Sequence, residues 1–119
     1  MSSMKLGDTF VMTHLWIVAS EPSQHGGNFI IVNLTTDVNR AGTDCELDKG
    51  DHPWITQKCY VSFGDAREVT PKEEAKILMF MSGGQIKMHY PMQQSIIDKI
   101  RAAAKTSKAL AVAWRNTYF

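Results

Sequence analysis

The chain has 119 residues, 44% hydrophobic and 21% charged, the size and balance of one globular domain. A formal net charge of +1 excludes a blanket electrostatic claim on nucleic acid or anionic membrane, so any such partner has to meet a local patch. Cys45 and Cys59 are too few for a disulfide framework and wrongly spaced for a zinc ribbon, and no apolar run reaches the ~20 residues of a membrane helix. The short polar N-terminus lacks the pattern of a signal peptide. The expectation is a soluble cytoplasmic protein with residues 1–119 as a single domain.

The first element opens on a Gly-Asp turn, "KLGDTF", and the β-branched and aromatic residues after it predict one strand over roughly 10–19. "EPSQHGGN" is a loop of the kind that joins antiparallel strands. "FIIVNLTT", Phe29 to Thr36, is the most hydrophobic stretch and reads as a central strand buried on both faces. "DVNRAGTD" reads as a loop and "CELD" as a short strand. After the corner "GDHPW", the run "KCYVSF" alternates, with Cys59, Val61 and Phe63 on one face and Lys58, Tyr60 and Ser62 on the other.

The period then changes. "TPKEEAKILMFM" carries a helix start: Thr70 as N-cap, Pro71 at the first helical position, and Glu73 placed for a capping box. Ser82-Gly83-Gly84 ends it, and "QIKMHY" is a further short strand. From Pro91 on, Ile96, Ile97, Ile100, Ala103, Ala104, Ser107 and Leu110 fall at helical spacing on one face. Strands first and helices last predict a small, strongly bent antiparallel sheet, a partly open barrel closed by a C-terminal helix.

This order of elements, with its residues, resembles the MazF/PemK-like toxins of bacterial toxin–antitoxin modules. The matching pieces are "LGDTF", "HLWIVASEP", "FIIVNLTT", "CYVSFGDAREV" and "YPMQQSIIDKIRAAA", and they cover nearly the whole chain. The resemblance implies an SH3-like barrel, a homodimer, a cognate antitoxin protein as partner, and cleavage of single-stranded RNA without metal or other cofactor. In such enzymes an arginine beginning the second strand serves acid–base chemistry, and a threonine or serine ending the third supports the phosphate. By position the threonine falls on Thr36, or on Thr35 if the register slips by one, and the arginine's place is held by His14. The family's long loop before that position is reduced here to "VMT".

The residues themselves suggest how such a site would work. Imidazole gives or takes a proton near neutral pH. Cleavage through the 2′-hydroxyl needs one group to take that proton and another to protonate the leaving oxygen, so His14 and His52 facing one phosphate would suffice. Asp51 is placed to fix the tautomer of His52, and Pro53 stiffens the corner. The bland alternative is a tight turn with His52 in solvent. Trp54 is either a stacking platform for a base, worth ~1–3 kcal/mol, or the first core residue of the next strand. Thr35, Trp54, Lys58 and Tyr60 are thus the candidate substrate contacts, and His14, Thr36 and His52 the candidate catalytic set. No spacing of cysteine and histidine suggests a metal site. Two rival readings stay open: a non-catalytic relative of the gyrase-poison type, binding through the end of its C-terminal helix near Trp114, and a plain protein- or nucleic-acid-binding module.

Overall fold

The computed structural model describes residues 3–41 and 44–119. Among these residues six strands form one antiparallel sheet: β1 (Thr9–Met12), β2 (His14–Val18), β3 (Phe29–Thr35), β4 (Glu46–Leu47), β5 (Cys59–Val69) and β6 (Lys87–His89). Their order across the sheet is β4-β5-β3-β2-β1-β6, and the sheet curls into half a barrel. Four α-helices accompany it among the described residues: α1 (Val38–Ala41), α2 (Pro71–Ser82), α3 (Gln94–Ala104) and α4 (Val112–Tyr118). The protein is therefore mainly β, as its sequence pattern predicts. Of the expected loop 37–44, Val38–Ala41 make a helical turn, and positions 42 and 43 lie outside the described residues.

The central strands have apolar residues at successive positions, so both of their faces need a cover. On one face Leu15, Ile17, Ile30, Val32, Val61 and Phe63 pack with Ile97, Ile100 and Ala104 of α3 and with Tyr118 of α4. On the other, Phe10, Trp16, Val18, Phe29, Ile31 and Val69 pack with Ile77 and Met81 of α2. Enclosing a large apolar side chain is worth ~1.5–3 kcal/mol, and Phe10, Phe29 and Phe63 are among the side chains fully enclosed. A helix on each face therefore follows from the two-sided apolar sequence of β2 and β3. The capping box of α2 is formed as its residues predict, with Thr70 Oγ1 accepting from the Glu73 N–H and Glu73 Oε1 accepting from the Thr70 N–H, both at 3.3 Å. Gly27, at φ 91°, leaves room for Pro71 at that helix start: a Cβ on Gly27 would stand 3.0 Å from the Pro71 ring.

Two sequence expectations are corrected. The single strand over 10–19 is a hairpin: Met12 pairs with His14, and the chain reverses across Thr13 alone. Thr13 has φ 66°, the left-handed region that a β-branched residue rarely enters. No glycine, asparagine or proline marks this reversal, and the apolar run continues through it, so the pattern hides the turn. The helical stripe from Ile96 to Leu110 is likewise shared between elements. α3 ends at Ala104, yet Ser107 and Leu110 remain buried in the segment leading to α4. There Ser107 Oγ donates to Asp44 at 2.7 Å, which holds the turn against the body.

Backbone strain at a non-glycine residue costs ~1–3 kcal/mol, less than burial of Phe10 and Trp16 on the two flanking strands returns. Thr13→Gly is expected to raise the unfolding free energy by about 1 kcal/mol, because glycine adopts this φ without penalty. Urea titration of both proteins checks it, and an unchanged or lower midpoint would mean that Thr13 is not strained.

Candidate functional site

The reversal at Thr13 sets His14, half-buried, at the first position of β2. Trp16 follows on the same face and lies opposite Asn33 of β3. The β3–β5 ladder then breaks. Ile31 pairs with Arg67 and Asn33 with Ser62, so Phe63 to Ala66 oppose Val32 alone. Such an excess bends one strand and turns its residues out of the ladder, here Gly64 to Ala66. The strained turn and the bulge face one another across a notch of about 520 Å³, lined by Met12 to His14, Trp16, Asn33 and Gly64 to Arg67.

Several interactions shape this notch. The Arg67 guanidinium carbon sits 5.0 Å above the centre of the Trp16 ring, a cation–π contact. The Trp16 indole N–H donates to the Met12 carbonyl at 3.2 Å. Ser62 Oγ donates to Asp65 Oδ2 at 2.6 Å, which fixes the carboxylate in the bulge. Asn33 is 4% exposed, and its Oδ1 has no hydrogen-bond partner among the described residues. A buried acceptor without a donor costs ~1–3 kcal/mol, so this amide is a local liability kept in an otherwise apolar strand. Past Arg67 and Met12 the notch runs on as a groove of about 240 Å³ under α2, where Lys76 and Phe80 also line it.

The Gly50-Asp51-His52-Pro53-Trp54 corner lies elsewhere. His52 is 2% exposed. The Trp54 backbone N–H donates to its Nδ1 at 3.0 Å, which makes that nitrogen an acceptor and puts the ring proton on Nε2. Nε2 then donates to the Tyr90 carbonyl at 2.6 Å, which also accepts from Thr9 Oγ1 at 2.6 Å. Both ring nitrogens are thus engaged. Burial pushes the imidazole below its ordinary pKa of 6.5, with the Tyr90 carbonyl partly opposing the shift. Asp51 does not orient it: Asp51 Oδ2 accepts from the Asp48 N–H at 2.8 Å and closes the turn. The corner is a turn that His52 locks to the segment between β6 and α3.

The remaining sequence candidates divide. Thr35, Thr36 and Trp54 line a second cleft, of about 240 Å³, with Leu34, Ile55 and Cys59. Thr35 Oγ1 is taken up by the Asp37 N–H at 3.1 Å. Trp54 is 43% exposed rather than in the core, and meets the His89 ring edge-on at 5.9 Å. Lys58 is ion-paired with Glu46 at 3.9 Å, and Tyr60 lies opposite both Thr35 and Glu46. Of the proposed catalytic set, only His14 lines the notch. Asn33, Asp65 and Arg67 were missed; the only signal for them is the glycine inside "CYVSFGDAREV", since glycine within a strand marks a bulge.

Cys45 and Cys59 are buried and free, and burial raises both thiols to about 11, which leaves them unreactive at neutral pH. No group of three or more histidine, cysteine or acidic side chains among the described residues is placed to hold a metal ion, and no helix is long and apolar enough to cross a membrane. The C-terminal tail is docked: Trp114 is half-buried against the core, and Tyr118 donates its hydroxyl to Glu68 at 2.6 Å. No protein-family model matches the chain, and no curated protein does.

Because His52 titrates below 6.5 when folded, the unfolded chain binds more protons as pH falls through that value. The stability it lends is complete above the unfolded pKa of ~6.5 and is lost on acidification below it. His52→Gln is expected to cost about 2 kcal/mol at neutral pH, through the lost lock between corner and Tyr90, and to flatten the decline between pH 6.5 and 5. Denaturant titrations over that range check both, and an equally steep decline in the variant would assign the effect to another histidine.

Proposed function

We propose that the protein is a divergent relative of the MazF/PemK-like toxins and cleaves single-stranded RNA at the notch between Thr13 and the β5 bulge. The observation that carries this reading is the meeting of His14 with Arg67 in that notch. The resemblance asks for an arginine at the head of the second strand, where this chain has His14; the guanidinium comes instead from β5 and is held over Trp16. The half-barrel, with an amphipathic helix against its larger core, is compatible with an SH3-like barrel of that family.

The chemistry follows from the side chains present. A phosphodiester arriving in the notch meets Arg67, whose fixed charge offsets that of the phosphate as it builds up on the non-bridging oxygens. Asp65, positioned by Ser62, accepts the proton of the 2′-hydroxyl, and the freed oxygen attacks the neighbouring phosphorus. His14 in its protonated form gives a proton to the departing 5′-oxygen. The products are a 2′,3′-cyclic phosphate and a 5′-hydroxyl. Lys76, beside Glu73 in the groove that continues past Arg67, adds a second cation there, which a chain of net charge +1 has to supply locally. Thr35, Thr36 and Trp54, in the second cleft, serve the flanking nucleotides. The reading brings the family's homodimer and antitoxin partner with it. The gyrase-poison alternative needs a free C-terminal helix end, whereas Tyr118 here is buried and its carbonyl accepts from Arg101 at 3.2 Å.

Long single-stranded RNA incubated with purified protein in EDTA is expected to yield fragments with cyclic or 3′-phosphate ends. His14→Ala and Arg67→Ala should each slow cleavage by about 100-fold or more, with circular dichroism unchanged. RNA left intact by the wild-type protein would sink the reading.

A further inference from the structure

The unpartnered amide of Asn33 has no role in the proton transfers above, yet it lies at the floor of the notch, nine-tenths buried. A carboxamide is the side chain that offers a donor and an acceptor side by side in one plane. Its oxygen holds no hydrogen bond, so a half-turn about Cβ–Cγ brings Oδ1 to the notch in place of Nδ2. Asn33 sits directly across from Trp16, whose ring carries Arg67, so the amide and the guanidinium address the same space. That space, about 520 Å³, falls within the ~300–1,000 Å³ usual for small-ligand pockets. It has room for a nucleotide, with its phosphate at Arg67 and its base at Asn33.

We propose that Asn33 reads the base of the bound nucleotide, selecting one whose exocyclic amine stands clear of its own ribose: adenine or cytosine. The amine projects beyond the ring and donates to the recessed Oδ1, the one atom of the amide that the rotation turns into the notch. Uracil presents its ring N–H recessed between two carbonyl oxygens, which oppose Oδ1. Guanine's amine lies toward its own ribose. The placement of this base in an RNA strand rests on the function proposed above; the preference for the amine does not.

The test compares ligands that differ by amine against carbonyl: AMP with IMP, and CMP with UMP, titrated into the full-length protein by calorimetry or by amide shifts. AMP and CMP are expected to bind roughly tenfold tighter than their keto counterparts, and Asn33→Leu, which removes a buried unpaired amide, should erase the difference while keeping the near-ultraviolet circular dichroism. Equal affinities for amine and keto nucleotides, no binding of any of them, or a preference that survives in Asn33→Leu would each overturn the proposal. The comparison within wild-type protein holds even if the variant does not fold. A tetranucleotide of adenylates that binds tighter than AMP assigns the base to a strand, and equal binding assigns it to a free nucleotide, with the amine preference intact in both. RNA left uncut alongside a clear preference for AMP would remove the nuclease and keep the base site; cleavage without any amine preference would do the reverse.

Discussion

Burial of β2 and β3 on both faces is the constraint from which the rest of the structure follows. Two adjacent strands with apolar residues at nearly every position cannot be left against water on either side. One face takes α3 and α4, and the other takes α2. The second cover is incomplete. α2 lies over the part of the face that holds Ile31 and Val69, and beyond Arg67 the sheet carries Asn33, His14 and the flank of Trp16 instead of further aliphatic residues. The notch exists because the apolar pattern of one face stops before the strands do.

Two local departures from regular β-structure meet at that place. A one-residue reversal ends the β1–β2 hairpin, and four residues of β5 stand against one of β3. Each is costly in isolation, through a left-handed threonine or lost ladder bonds, and the orphaned Asn33 oxygen adds to them. The surrounding core tolerates the sum because several large side chains are enclosed on both faces, at ~1.5–3 kcal/mol each. Strain gathered in one concavity on a well-packed scaffold is the arrangement expected of a site that binds something.

His52 shows the opposite case. Histidine in a stiff, aromatic-flanked corner looks like chemistry in a sequence, but enclosure and two hydrogen bonds make it a fastener. It joins the 48–58 loop to the carbonyl of Tyr90. Thr9 reaches the same carbonyl from the head of β1, so one acceptor ties three parts of the chain together. A proton placed on this ring would have to be carried without solvent, and the lowered pKa expresses that cost.

What the sequence determined by itself is what depends on near neighbours. The capping residues Thr70, Pro71 and Glu73 set the start of α2, the double-faced run Phe29 to Thr35 marked the central strand, and the stripe through Ile97, Ile100 and Ala104 marked the helix that covers it. Hydrophobic period and caps act over a few residues, so they can be read without a fold. The hairpin at Thr13 could not be read, since no turn residue marks it and strand pairing forced the reversal. Nor could the gathering of His14, Asn33, Asp65 and Arg67, whose three strands contribute residues up to 53 positions apart (Arg67 against His14). Their meeting depends on the register slip between β3 and β5, and the choice of His52 as lock rather than catalyst depends on Tyr90, 38 residues away. Those are properties of non-local pairing and burial, which only the tertiary structure decides.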